Sequence, residues 1–206
     1  MNAPTNPKEL ELPTVEFKLD GKTIVSYEGE TILKAAKRHG IDIPHLCFKD
    51  GYRPDGNCRA CVVEINGERT LAPSCCRSAT PGMEVKANSE RAVKSQKLIL
   101  EMLLSDMPDE GFKWVGDSKA EEQKNQHGEL STWATRMDVT VRPELKALRR
   151  EKVAHDISHP AMAVNLDACI QCNRCVRACR EEQVNDVIGY AMRGAHSEIV
   201  FDLNDP

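Results

Sequence analysis

The cysteines are the residues of this sequence whose type and spacing can do chemistry. Nine are present among 206 residues, whereas aromatic residues make up only 4%. They form two groups, at positions 47, 58, 61, 75 and 76 and at positions 169, 172, 175 and 179. The beginning of the sequence lacks the pattern of a secretory signal peptide, which predicts the cytoplasm, where clustered thiols more often hold metal than form disulfides. We therefore expect two metal modules.

The first group has the spacing C-x10-C-x2-C-x13-C. Its ligand candidates are Cys47, Cys58, Cys61 and Cys75. Two iron atoms bridged by sulfides need four thiolates, and plant-type 2Fe-2S sites combine a tight C-x2-C loop with two more distant cysteines. The small residues Gly56 and Ala60 leave backbone N–H groups free to approach the sulfurs. Plant spacing usually begins C-x4-C, so the longer first gap predicts an extra surface loop over residues 48–57.

The first group allows two interpretations of the metal that it binds and two of the role of Cys76. C-x2-C pairs also bind zinc, so a zinc-stabilised interaction module without a redox role is a competing interpretation. The alternating strand pattern around the group favours the iron-sulfur interpretation. Cys76 is then spare, and we expect a buried thiol that packs as a small hydrophobe. The other possibility is an alternative ligand, which leaves the choice between Cys75 and Cys76 open.

The second group has the spacing C-x2-C-x2-C-x3-C, which is the bacterial 4Fe-4S signature. In two-cluster ferredoxins the fourth cysteine of each motif serves the other motif's cluster. We therefore expect Cys169, Cys172 and Cys175 to share one 4Fe-4S cluster, and Cys179 to ligate a neighbouring one. Residues 1–206 contain no second motif of this kind, so we expect the 4Fe-4S segment to be incomplete and the chain to be an N-terminal fragment.

Hydrophobic periodicity and turn residues predict the elements that position the first group. Asp20-Gly21 and Asn66-Gly67 are turn pairs typical of β-hairpins. Thr31 is a helix-capping residue. The predicted strands are residues 15–19, 22–27, 62–65, 68–71 and 83–86, and the predicted helix runs from residue 32 to about residue 39.

The stretch between the two groups is predicted to be helical in part and otherwise irregular. Ser89 caps a helix over residues 90–104, with Val93, Leu100 and Leu104 on one face. Shorter helices are predicted at residues 120–126, 129–137 and 143–152. The basic residues of the last of these, and Arg142 before it, are interpreted as a solvated face: Arg142, Lys146, Arg149, Arg150 and Lys152. The histidines are at positions 39, 45, 127, 155, 159 and 196, and we expect a structural or surface role for His45 and a solvated position for His127.

Two stretches resemble known families. GNCRACVVEI at 56–65 and LAPSC at 71–75 resemble the N-terminal 2Fe-2S domain of the large NADH dehydrogenase subunit and its relatives. This resemblance implies a β-grasp fold with Cys47, Cys58, Cys61 and Cys75 as ligands. Residues 162–202 resemble the alpha subunit of cytoplasmic, molybdenum- or tungsten-dependent, NAD-linked formate dehydrogenases. That resemblance implies a Mo- or W-pterin in the remainder of the subunit, and a flavin- and NAD-binding beta subunit as partner in a hetero-oligomer.

The expected class is α+β, in four parts. Residues 1–13 are an N-terminal tail, and residues 14–88 the β-grasp 2Fe-2S ferredoxin domain. Residues 89–153 are the helical and irregular connection, and residues 154–206 the first half of a bacterial-type 4Fe-4S ferredoxin domain. The His-x3-Cys-x2-Cys-x5-Cys motif that NADH dehydrogenase large subunits place between these modules is absent.

The expected function is electron transfer within an oxidoreductase. A net charge of -4 argues against nucleic-acid and anionic-membrane partners, and no nucleotide-binding glycine loop or nucleophile–base pair is present. We expect the iron-sulfur part of an NAD-dependent formate dehydrogenase, which relays electrons between a formate/CO2 centre and a flavin/NAD site and contains no catalytic residue of its own. The alternative is the small diaphorase subunit of an NAD-reducing hydrogenase or NADH dehydrogenase-like complex.

Overall fold

The computed structural model describes residues 13–108, 128–157 and 163–201. Its strands are β1 (Thr14–Leu19), β2 (Lys22–Tyr27), β3 (Val62–Ile65), β4 (Ala72–Pro73), β5 (Glu84–Lys86), β6 (Ile188–Ala191) and β7 (Glu198–Phe201). Its α-helices are α1 (Ile32–Arg38), α2 (Glu90–Ser105), α3 (Glu129–Arg136), α4 (Pro143–Lys146) and α5 (Arg174–Arg177). None of the helices in these three ranges is long and apolar enough to cross a membrane. The helix predicted at 120–126, together with His127 and His159, lies outside the described residues.

The first five strands form one mixed sheet in the order β2-β1-β5-β3-β4. β1 pairs antiparallel with β2 and parallel with β5, and β3 pairs antiparallel with β4 and β5. Asp20 and Gly21, which join β1 to β2, both have positive φ angles, as a tight hairpin turn requires. The strands predicted at residues 15–19, 22–27, 62–65 and 83–86 are confirmed within one residue.

Helix α1 packs on this sheet through a small apolar face. The Thr31 side chain accepts a hydrogen bond from the backbone N–H of Lys34, as the capping prediction requires. The helix ends before Gly40, whose φ of 70° lies in the left-handed region. The buried core that helix and sheet share includes Phe17, Leu19, Ile32, Leu33, Ala36, Val63 and Val85. Residues 14–88 thus enclose an apolar core of their own.

The strand predicted at 68–71 is wrong. β3 pairs instead with β4, where Ala72 lies opposite Val63 and Pro73 opposite Val62. Residues 68–70 are charged or polar and offer the sheet no apolar side chain, so the return strand begins only after Leu71. As a result Ser74 lies at the end of the sheet, where its backbone N–H and hydroxyl both donate to the Cys61 carbonyl.

Helix α2 buries a face that differs from the predicted one. Leu100 is fully buried, but Val93 and Leu104 are only half-buried. The inward face includes Gln96, which is 2% exposed. Its side-chain amide donates to the carbonyls of Val62 (2.8 Å) and Ala87 (3.3 Å). The helix is therefore anchored to the sheet region by a polar side chain that apolar periodicity does not reveal.

A second apolar cluster joins the parts of the chain that lie between the cysteine groups. Its buried members come from both cysteine groups, from α2 and the turn after it, and from α3: Leu46, Ala60, Leu100, Met107, Leu130 and Ala168. Helix α3 confirms the prediction at 129–137 within one residue. The described residues of the connection therefore pack against both cysteine groups, and residues 109–127 of the predicted irregular stretch lie outside the described residues.

Helix α4 ends at Lys146, six residues before the predicted end. The chain leaves the helix because Arg149 and Arg150 turn inward. Arg149 donates to the buried carboxylate of Asp167 at 2.7 Å, and Arg150 donates to the Cys169 carbonyl at 2.8 Å. The interpretation of these two arginines as a solvated face is wrong. Arg142 also has a partner, since it donates to the Glu101 carboxylate.

Candidate metal centres

The structure brings the four predicted ligands of the first group together. Cys47 lies in the loop after α1, Cys58 and Cys61 lie on the turn before β3, and Cys75 follows β4. The Cys47 thiol is close enough to the thiols of Cys58 and Cys75 to shift their pKa values, and the Cys75 thiol stands in the same relation to Cys61. Cys47, Cys61 and Cys75 are buried and Cys58 is half-buried. Each sulfur thus interacts with the next in the order 58, 47, 75, 61, and we call this set the row of sulfurs.

Backbone geometry aims N–H groups at this row of sulfurs. Gly56 and Arg59 have φ angles of 64° and 59°, which fold the chain tightly around Cys58. The backbone N–H of Cys47 lies 3.4 Å from the Cys58 sulfur. Such hydrogen bonds to sulfur stabilise negative charge there and are a means of tuning reduction potentials in iron-sulfur sites.

The four thiols divide into two whose pKa is lowered and two whose pKa is raised. The Cys58 and Cys75 thiols, helped by backbone N–H groups, lower the pKa of Cys47 to about 2. The Cys75 thiol lowers the pKa of Cys61 to about 7, against the opposing effect of burial. The pKa values of Cys58 and Cys75 are raised, chiefly by their bonds to Cys47. Each C-x2-C cysteine therefore has a partner outside that pair, Cys47 for Cys58 and Cys75 for Cys61.

Two thiol pairs in contact suit two bridged iron atoms, each of which needs two protein sulfurs. A structural zinc ion would instead require four ligands around one point. The four thiols and their pairing fit the number of protein sulfurs that a 2Fe-2S cluster needs.

Cys76 is exposed, so the expectation of a buried thiol is wrong. Its sulfur lies 3.5 Å from that of Cys75. The reason is local: the backbone N–H of Cys76 bonds to the Pro73 carbonyl in a tight turn, which places Cys75 inward and its neighbour outward. A Cβ on Gly56 would approach the Cys76 sulfur to 2.8 Å, and the φ of 64° at this position strains any residue other than glycine.

Cys169 and Cys172 lie on a tight loop, and Cys175 lies in the helix α5 that follows it. Gln171 and Asn173 have φ angles of 53° and 65°, so the backbone is left-handed on both sides of Cys172. The Gln171 backbone N–H lies 3.4 Å from the Cys169 sulfur. Burial and, after it, negative charge on Cys172 raise the pKa values of Cys169 and Cys175. The three thiols are thus within electrostatic range of one another.

Cys179 occupies a different environment. It lies in a π-helical turn, Ala178–Glu182, that continues α5, and it is buried. Its sulfur accepts a hydrogen bond from the backbone N–H of Val187 at 3.3 Å. The β6–β7 hairpin, which was not predicted, follows and returns to the cysteine loop, where Tyr190 donates to the Gln171 carbonyl. Burial, together with charge on the nearby cysteines, raises the pKa of Tyr190 to about 12.

Two arginines that support the two cysteine groups were not predicted from the sequence. Arg150 donates to the carbonyls of Leu166, Asp167 and Cys169. Arg177, which is 3% exposed, donates to the Cys47 carbonyl. The only sequence signal for Arg177 is its place between the last two cysteines of the motif, because a buried arginine breaks the rule that charged side chains lie at the surface.

Comparison with known proteins identifies the class to which the first group belongs. Residues 13–90 match the family described as a 2Fe-2S iron-sulfur cluster binding domain. Residues 13–90 are therefore a domain of the 2Fe-2S cluster-binding class, and the second cysteine group follows later in the chain.

The whole chain is similar to subunits of larger oxidoreductases. It is 36% identical to the NADP-reducing hydrogenase subunit HndD of Solidesulfovibrio fructosivorans, over 90% of this chain and 31% of that protein. It is 29% identical to an NADH-quinone oxidoreductase subunit of Rhizobium meliloti, over 90% of this chain and 21% of that protein. A crystal structure of an NAD+-reducing NiFe hydrogenase in its H2-reduced state matches with a TM-score of 0.72 and 30% identity, over 91% of this chain and 74% of that one.

The chain belongs to the family that includes these hydrogenase and NADH-quinone oxidoreductase subunits. It spans less than a third of the length of the two curated relatives described above. None of the three matches is named a formate dehydrogenase, so the comparisons support the diaphorase alternative better than the formate dehydrogenase expectation.

Proposed function

We propose that this chain is the electron-relay segment of an NAD-linked oxidoreductase complex of the diaphorase type. The observation that carries the proposal is the row of four thiols at Cys58, Cys47, Cys75 and Cys61, with backbone N–H groups aimed at it. A 2Fe-2S cluster bound by these sulfurs would accept and donate single electrons. Gly56 keeps the surrounding loop tight, and burial of three of the four sulfurs excludes water.

The second cysteine group would continue the relay. Cys169 and Cys172 on the loop and Cys175 in α5 provide three sulfurs, which is the number that a bacterial-type 4Fe-4S motif contributes to its own cluster. Cys179, whose sulfur bonds to the Val187 N–H, is proposed to ligate a neighbouring cluster. Arg150 and Tyr190 hold the loop in place through its carbonyls.

The overall reaction belongs to a larger assembly. The sequence contains no nucleotide-binding glycine loop, so the nicotinamide and flavin sites are assigned to a partner subunit in a hetero-oligomer. A diaphorase role is favoured by the matched hydrogenase and NADH-quinone oxidoreductase subunits. A second candidate is the alpha subunit of a molybdenum- or tungsten-dependent formate dehydrogenase, which the resemblance of residues 162–202 favours.

The relay function is tested by metal analysis of the chain purified without oxygen. We expect bound iron, acid-labile sulfide and an EPR signal after reduction by dithionite. A colourless protein with stoichiometric zinc and no sulfide would overturn the proposal in favour of the interaction module.

The ligand assignment in the second group is tested with Cys172→Ser and Cys179→Ser. We expect Cys172→Ser to lose the iron that this group binds, and Cys179→Ser to retain it, because Cys179 serves another cluster. Equal loss in both variants would contradict the crossed arrangement.

The choice between the two complexes requires the native assembly. A tag on this chain allows the complex to be isolated from its source and assayed for dye reduction with formate, H2 and NADH. Activity with H2 or NADH and none with formate is expected for the diaphorase type. Formate-dependent reduction together with bound molybdenum or tungsten would establish the second candidate instead.

A further inference from the structure

Arg177 connects the two cysteine groups directly. It lies in α5, two residues after Cys175 and two before Cys179, and it is 3% exposed. Its guanidinium reaches into the first group, where one terminal nitrogen donates to the Cys47 carbonyl and the other to the Arg53 carbonyl. Its Nε lies 3.4 Å from the Asp55 carboxylate. A single side chain of the second group therefore bonds to the backbone of a candidate ligand in the first.

The loop that receives Arg177 is the part of the sequence that makes the first cysteine spacing unusually long. Residues 48–57 replace the four residues found in plant-type spacing. Three side chains of this loop also bond to the segment that carries the second group, and one of them is Arg53, which pairs with Glu181 at 3.5 Å. Asp55 accepts from the Asn173 amide at 2.6 Å, and the Asn57 amide donates to the Gln171 carbonyl at 3.5 Å. The longer loop therefore serves as a docking surface for the segment that carries the second group.

Arginine is suited to this position in a way that lysine is not. Its planar fork donates to two carbonyls and a carboxylate at once, whereas an ammonium group is a compact point charge. A buried guanidinium without partners is costly, so the docked arrangement is the one that satisfies the Arg177 charge. The same charge lies against the Cys47 backbone, where it favours additional negative charge on the sulfurs.

We propose that Arg177 is a positioning residue that docks the second cysteine group on the loop of residues 48–57 and raises the reduction potential of the 2Fe-2S site. The potential effect rests on the proposed function, whereas the docking does not. Docking fixes the distance between the two cysteine groups. The positive charge of Arg177 raises the reduction potential of the site to which Cys47 contributes.

The experiment compares three variants of the full chain. Arg177→Gln removes both the positive charge and the planar guanidinium group, whereas Arg177→Lys keeps the charge alone. Arg180→Gln is the matched control. Arg180 lies three residues further along, is exposed, and pairs with the exposed Asp186 rather than with the loop. Two quantities are measured: amide hydrogen exchange in residues 48–57, and the 2Fe-2S midpoint potential by EPR-monitored titration.

Docking is expected to loosen in both Arg177 variants. Amide exchange in residues 48–57 should accelerate about tenfold in Arg177→Gln and Arg177→Lys, and stay unchanged in Arg180→Gln. At the wild-type midpoint potential, the ratio of reduced to oxidised 2Fe-2S cluster should fall about tenfold in Arg177→Gln. This fall equals a lowering of the midpoint potential by about 59 mV for a one-electron couple, and the lowering should be much smaller in Arg177→Lys.

The outcomes separate the inference from the function on which it rests. Unchanged exchange and unchanged potential in Arg177→Gln would overturn the inference while leaving the relay function intact. An equal potential shift in Arg180→Gln would show a general charge effect and would overturn the specific role of Arg177. A wild-type chain without iron and sulfide would overturn the relay function and the potential effect, and the exchange comparison would still decide the docking.

Discussion

Residues 14–88 and residues 163–201 both present candidate cluster ligands, yet different interactions hold the two regions together. In the first, α1 and the mixed sheet enclose a continuous apolar core. In the second, the buried apolar side chains are few: Ala168, Val176, Cys179, Ile199 and Val200. Asp167 and Arg177 are buried beside them, and arginines bond to backbone carbonyls around the cysteine loop.

This difference shows how each region depends on its surroundings. Apolar burial is non-directional and survives changes of salt and moderate changes of pH. Buried charges stabilise a fold only when every partner is in place, because an unpaired buried charge is costly. The first region is therefore expected to fold without metal, whereas the second depends on its ion pairs, on its contacts with the first region and on whatever its thiols bind.

The largest expected effect is on cluster binding in the first region. Cys58→Ser should abolish the reduced 2Fe-2S EPR signal, because Cys58 pairs with Cys47 in the row of sulfurs. Cys76→Ser is the control and should retain the signal, since its thiol is exposed. If the signal instead survives in Cys58→Ser and is lost in Cys76→Ser, the ligand assignment is wrong.

The next effect concerns the apolar core. Leu33 is 1% exposed between α1 and the sheet, so Leu33→Ala should lower the free energy of unfolding of the cluster-free protein by about 2–5 kcal/mol. Urea denaturation measures this. Leu148→Ala, at a leucine that is 77% exposed, should change it by less than about 0.5 kcal/mol. Similar values for the two variants would contradict the role assigned to the core.

A smaller and more local effect is expected in the second region. Asp167 is 2% exposed and accepts from Arg149 and from the Val153 backbone N–H. Asp167→Asn removes the charge and should lower local stability by about 1–3 kcal/mol. Hydrogen exchange should accelerate in residues 163–201 and not in residues 14–88. Asp186→Asn, which breaks an exposed pair, is the control, and acceleration in both regions would show that they are not separately stabilised.

The smallest expected effect concerns the connection between the regions. The Arg142 side chain and its backbone N–H hold the pKa of the Glu101 carboxyl below its usual value of 4.5. A lowered carboxyl pKa stabilises the fold above about pH 4.5, and this contribution is lost as the pH falls through the folded-state pKa.

The melting temperature of cluster-free Glu101→Gln should therefore lie below that of wild type at pH 7, and the difference should narrow below pH 4.5. Glu151→Gln, at an exposed glutamate, is the control and should show no such trend. A Glu101→Gln difference that stays constant from pH 7 to pH 3 would contradict the assignment.

The residues explain why the first region was predicted better than the second. Phe17 and Leu19 alternate with polar neighbours, and Thr31 and Ser89 cap their helices as expected, because these signals are local in sequence. Arg177 bonds to a carbonyl 130 positions away, and no periodicity reports such a contact. The cysteine spacings identified the candidate ligands, but the partners of the loops that carry them lie far away in the chain.

The left-handed backbone at Gln171 and Asn173 also determines which amino acids these two positions can accept. Glycine enters that conformation freely and asparagine enters it at modest cost, whereas β-branched residues strain it. Substitution to glycine should therefore be tolerated on both sides of Cys172, and valine, isoleucine and threonine should be excluded there. Among related sequences with the same cysteine spacing, this excluded set therefore distinguishes those that share this backbone conformation from those that do not.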